Sequence, residues 1–279
     1  MIHRLVASAA GGLTANTFLL VLFPVVTIPL LFYETTYSMA RIWYINETFA
    51  HGFLVFPVSV WLLYSNRACL TSLAVHSDPK KIILALPVLL GWIVGIAASI
   101  DVVQQVCMIT AILLAVYAFV GNQVFRAVLF PLLLLYFAVP VGQSLISPLM
   151  QFTANFTIRM VEVSGIPVYQ DGLSFVLPSG SWSVVEECSG VRYLIASLFL
   201  GTIYAYLFYA SIGKRIIFIL ISLVLPVFAN GLRAFGIVMI GHHTGMEHAV
   251  GTDHLLYGWL FFGVMIFTLF YVGSFWRDE

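Results

Sequence analysis

The chain has 279 residues, 61% of them hydrophobic and only 9% charged, with a mean hydropathy of +1.03. A soluble domain carries charge on about a quarter of its residues, so no soluble fold hides this much apolar surface and the chain reads as an all-α polytopic membrane protein. Twelve basic and twelve acidic residues cancel to no net charge, and without a basic patch nucleic acid is excluded as a partner.

The N-terminal run follows His3 and Arg4, as in a signal peptide, but Leu13 to Tyr33 is long enough to span. A signal core is shorter, about 7–15 residues. A span needs about 20 apolar residues. About eight segments qualify: 13–33, 50–66, 82–99, 102–121, 124–140, 189–210, 215–240 and 254–275. The second is weakest, since it holds His51 and Pro57. Prolines within the others are tolerated in membrane helices.

Between spans five and six, residues 141–188 form the longest polar interval, read as a periplasmic insertion within one membrane domain, 1–279. In its first half Ser144, Ser147, Gln151, Asn155, Arg159 and Glu162 make one helical stripe. That pattern fits an amphipathic helix lying in the interface better than one that spans. The second half, GLSFVLPSGSWSVV, reads as a small β-hairpin turning at Pro178 to Ser181.

Charge sets the orientation. With the N-terminus in the cytoplasm, Arg4, Arg67, Lys80, Lys81, Arg126, Lys214, Arg215 and Arg277 are cytoplasmic. Glu34, Glu47, Asp101, Glu162, Asp171, Glu186, Glu187, Glu247 and Asp253 then lie outside. This satisfies the positive-inside rule. If 142–165 spanned instead, Lys214 and Arg215 would move outside, which the charge bias opposes.

Three polar features then meet at the outer face, which is periplasmic in a Gram-negative cell. Cys188 precedes span six in EECSGVRYL, Arg233 lies inside span seven in ANGLRAFG, and His254 begins span eight in GTDHLLYGW. Arg233 sits roughly 10 Å below the exit of its span at the helical rise per residue. Such a residue is costly in a membrane and marks function. A thiolate nucleophile is favoured by a helix N-terminus, with Ser189 as candidate cap, and by a nearby arginine. Arginine stays protonated, so it serves as oxyanion stabiliser rather than base. His254 is able to carry a proton. Together these three suit acyl transfer.

Asn230 lies one turn before Arg233 and suggests a polar interior cluster. Glu186 and Glu187 oppose a thiolate unless an arginine pairs with them. Arg192 reads either as a second site arginine or as that partner. Plain alternatives stand beside each reading: a packed Cys188, a disulfide from Cys188 to Cys107, an Arg233 that snorkels to headgroups, and a His254 that only caps its helix. Cys69, Cys107 and Cys188 form no CxxC, so neither a zinc ribbon nor a thioredoxin-like pair is present. GHHTGMEHAVGTDH offers His242, His243, Glu247, His248, Asp253 and His254 as metal ligands, but no HExxH. Glu47 and His51, in the early outer loop, are a weak addition to the same cavity.

EECSGVRYL, NGLRAFGIVMIGHHTG and VGTDHLLYGWLFFG, in this order at three outer helix ends, resemble the exosortase family, the exosortase A type in particular. ETFAHGFLVFPVSVWLL and GIPVYQDG extend the resemblance over most of the chain. The resemblance implies a cysteine protease–transpeptidase of the bacterial inner membrane that needs no cofactor or metal. Its substrates would be exported proteins ending in a Pro-Glu-Pro motif, a hydrophobic helix and a basic tail, processed in connection with exopolysaccharide and biofilm matrix. It carries the catalytic roles to Cys188, Arg233 and His254, with Glu187, Arg192, Asn230 and Asp253 as supporting candidates. Some relatives carry a further periplasmic domain after the last span, and this chain ends at Glu279. The partners expected are the tagged proteins, membrane lipids and an amine acceptor. Two other readings remain: a transporter of lipid-linked glycan, which would tolerate loss of the cysteine in a flux assay, and a metal-dependent hydrolase built on the 242–254 histidines, which a chelator would inhibit.

Overall fold

The computed structural model describes residues 14–70, 72–245 and 252–278, the side chains of 14–16 and 252–257 excepted. These residues are mostly helical, as the composition requires, with one small sheet. The chain divides into two compact units, Met1–Val141 and Gly142–Glu279.

In the first unit, α1 (Thr14–Leu31) is apolar throughout and contains Pro24 and Pro29. It bends by 88° into α2 (Tyr33–Ile45). At the bend the Pro29 carbonyl accepts from Thr36 Oγ1 at 2.8 Å. α2 falls between the expected spans 13–33 and 50–66, and its mean hydropathy is lowered by Glu34, Arg41 and three threonine or serine residues. Next come α3 (Gly52–Ser65), the short α4 (Arg67–Leu70), α5 (Ala85–Ala97) and α6 (Asp101–Leu134). Trp43 ties α2 down by donating to the Ala138 carbonyl at 2.8 Å.

The helix α6 is not one rod. Gly121 has φ +76, and a Cβ there would overlap the His76 carbonyl oxygen. Thr110 Oγ1 lies 2.8 Å from Tyr136 Oη, 26 positions along the chain. In a straight helix those residues would be about 39 Å apart. The chain therefore doubles back at Gly121, between the expected spans 102–121 and 124–140.

The count of eight spans is not confirmed. Among the described residues five helical stretches are long and apolar enough to cross a membrane, or six if the bent α1–α2 pair is one span. Asp101–Ala138 is one of the five and folds back at Gly121, and Gly258–Ser274 is a shorter apolar helix.

The second unit starts with α7 (Ile146–Val163). Gln151, Asn155, Arg159 and Glu162 are exposed on one side, and Arg159 pairs with Glu162 at 3.3 Å. The opposite side is not left for lipid. Ala154, Ile158 and Val161, at helical spacing, pack with Phe175, Leu177, Val184 and Val238. A three-stranded antiparallel meander follows: β1 (Tyr169–Asp171), β2 (Ser174–Leu177) and β3 (Gly180–Ser183). The expected hairpin is the β2–β3 pair, with Leu177 opposite Gly180. β1 is an added strand, joined through Gly172 at φ +60.

Three long helices complete the unit: α8 (Val191–Phe208), α9 (Ile212–Thr244) and α10 (Thr252–Ser274). In lipid, helices associate through close packing of small residues rather than through hydrophobic exclusion from water. Gly201 of α8 lies so close to Ser222 of α9 that a Cβ would overlap the hydroxyl. Tyr204 stacks on Phe270 of α10 at 4.8 Å, and Tyr209 donates to the Gly273 carbonyl at 2.8 Å. Beyond α10, Asp278 pairs with Lys214 and accepts from the Ala210 N–H at 2.7 Å. The Lys214 hydrogen bond, supported by the Ala210 and Ser211 N–H groups, holds the Asp278 carboxyl below the usual range.

Candidate functional site

Cys188 ends a short 3₁₀ turn, Glu186–Cys188, that leads from the sheet to α8. Its N–H donates to the Val185 carbonyl at 2.9 Å, and the residue is half-buried. Glu186 and Glu187 are exposed. The residue capping α8 is Gly190, at φ +79, rather than Ser189. Ser189 is buried, and its Oγ only approaches the Val191 N–H, at 3.4 Å.

Asn230 and Arg233 stand one turn apart on α9, and both are buried, at 3% and 8% exposure. The three polar groups of the Asn230 amide are all engaged. Nδ2 donates to the Cys188 carbonyl at 2.7 Å and to Thr153 Oγ1 of α7 at 3.1 Å. Oδ1 accepts from Arg233 Nη1 over a longer 3.4 Å. A carbonyl only accepts, so the Cys188 contact fixes which end of the amide faces it. Gly190 admits this arrangement: a Cβ there would meet Asn230 Cγ at 2.7 Å.

Arg233 is buried among its neighbours. Its guanidinium carbon lies 5.6 Å from the Tyr193 ring centroid, a cation–π distance. Tyr193 stacks on Phe262 at 4.8 Å. A Cβ on Gly258 would sit 2.6 Å from Tyr193 Oη and 3.1 Å from Arg233 Nη2, so α10 offers bare backbone to the arginine. One asparagine thus links Cys188 and Arg233 in a single buried layer. That layer joins the Cys188 backbone carbonyl, the Asn230 amide and the Arg233 guanidinium.

Other expected residues are distributed as follows. Arg192 is half-buried in the first turn of α8. The side chains of Asp253 and His254 lie outside the described residues. In the backbone of α10, position 254 falls one helical turn before Gly258, on the helix face that meets Arg233. His242 Nδ1 is 2.8 Å from Ser179 Oγ in the β2–β3 turn. No cluster of metal ligands occurs among the described residues, while Glu247, His248, Asp253 and His254 fall outside that search. The three cysteines are free thiols, so no disulfide joins Cys107 to Cys188. His51 Nε2 lies 3.0 Å from the Phe137 carbonyl oxygen, within the first unit.

Thr153, Tyr193 and Gly258 complete the site without having been expected there. Thr153 and Thr157 gave a faint signal, being four apart on the apolar side of an amphipathic helix, where both are buried.

A search of curated proteins gave no match, and a search of solved structures gave none either. A family model described as Transmembrane exosortase (Exosortase_EpsH) matches residues 43–271, a range that contains Cys188, Asn230, Arg233 and position 254. This multi-pass membrane chain therefore belongs to the transmembrane exosortase family.

Proposed function

We propose that the protein is a cysteine peptidase–transpeptidase working at the periplasmic face of the bacterial inner membrane, with both termini in the cytoplasm. Its substrates are exported proteins with a C-terminal Pro-Glu-Pro motif, a hydrophobic helix and a basic tail, and its cellular setting is exopolysaccharide and biofilm matrix production. The observation that carries the reading is the Asn230 amide, which joins the Cys188 carbonyl to the Arg233 guanidinium in one buried layer.

The substrate helix lies in the bilayer, which brings the scissile bond to the outer surface beside Cys188. The Cys188 thiolate attacks the peptide carbonyl, forming a carbon–sulfur bond. Arg233 stabilises the resulting oxyanion. As the carbon–nitrogen bond breaks, His254 protonates the departing amine. An amine acceptor or water then attacks the thioester and returns the thiolate. Arg192, Glu187 and Asp253 support the site by charge, and lipids flank the substrate helix.

The test is Cys188→Ala in cells carrying a tagged precursor. The full-length precursor accumulates uncleaved while the variant stays folded and membrane-inserted. Normal processing by that variant would overturn the mechanism.

A further inference from the structure

The amphipathic helix α7 lies outside the motifs that carry the family resemblance, yet it reaches the site through one side chain. Thr153 is 1% exposed, and its Oγ1 accepts the second amide hydrogen of Asn230 at 3.1 Å. The first goes to the Cys188 carbonyl, and the amide oxygen faces Arg233. Close helix packing holds this contact in place. A Cβ on Gly231, next to Asn230, would lie 2.6 Å from the Phe156 ring of α7. Phe152 and Phe156 also pack on Phe228 of α9, at 5.6 and 6.4 Å. From these contacts we infer that Thr153 is a positioning residue: its hydroxyl locks the Asn230 amide, and through it the Cys188 backbone and the Arg233 guanidinium.

The physical reason lies in the count of donors. An amide has two N–H bonds, and a buried one left without an acceptor is costly. Without the Thr153 oxygen, the Asn230 amide gains by rotating toward another acceptor. Rotation loosens its hold on the Cys188 carbonyl and turns its oxygen away from Arg233. The sulfur and the cation then lose their fixed relation, although neither residue has changed. How α7 docks on α9 thus sets the reactivity of a thiol carried by a different element.

This inference rests on the peptidase reading, and its experiment separates the two. In full-length protein with Cys69→Ser and Cys107→Ala, Cys188 is the sole thiol, and its alkylation by iodoacetamide at neutral pH is timed. Thr153→Val keeps the shape and removes the oxygen. Its alkylation rate falls about three- to ten-fold, the range expected for one lost hydrogen bond, and precursor processing falls in parallel at unchanged KM. Thr153→Ser restores both, which a purely space-filling role would not predict. If Thr153→Val does not fold, Thr153→Ala tests the same lost oxygen. Alkylation at the original rate with an unchanged melting temperature overturns the inference. So does faster alkylation with a lowered melting temperature, which marks simple loosening of the fold. If instead Cys188→Ala processes its precursor normally, the peptidase reading fails, while the alkylation rates still decide the role of Thr153.

Discussion

At position 190 the backbone holds φ +79 while Asn230 packs against it within 3 Å of where a Cβ would stand. Either condition alone favours glycine; together they exclude any side chain without local movement. Gly190→Ala accordingly costs about 1–3 kcal/mol. It also pushes Asn230 off the Cys188 carbonyl, so processing falls more than stability does. A melting curve beside a precursor-cleavage time course checks this, and a variant that melts normally and cleaves at full rate would refute it. Cys188 and Arg233 stood out in the sequence because polar chemistry is rare there and costly in a membrane. Asn230 stood out by its spacing from Arg233. Thr153 did not, because a threonine on an apolar helix side is common and its partner lies on a helix distant in the chain. Nor did Gly258, whose importance depends on what approaches it.

Among the elements, the α8–α9 contact matters to the site beside the α7–α9 one, since Cys188 lies just before α8 and Arg233 within α9. Gly201→Val drives a branched side chain into Ser222. Overpacking of this kind costs about 1–3 kcal/mol, so the melting temperature drops and processing declines with it. An unchanged melting temperature would show that the helices part there at no cost. Hydropathy made the long apolar helices legible, and turn residues marked the β2–β3 hairpin. β1 escaped because all three of its residues are exposed, which leaves no alternation to read. α2 escaped because its polar composition hides a helix from a test tuned to apolar runs. The side of α7 opposite its polar stripe looked ready for lipid, since periodicity reveals an apolar face without revealing what covers it.

For the molecule as a whole, the asymmetry of charge makes a sharp demand on orientation. The proposed arrangement turns Cys188 outward and puts Cys69, exposed in α4, on the cytoplasmic side. A membrane-impermeant maleimide added to intact spheroplasts labels Cys188, and it labels Cys69 only after permeabilisation. The reverse pattern would invert the topology and with it the site of cleavage. Which side each thiol meets is a matter of parity, and parity turns on Gly121. The two arms of α6 meet at that residue with no loop between them. A methyl group at that carbon would strike the His76 carbonyl oxygen, so the reversal of the chain there depends on the absence of a side chain.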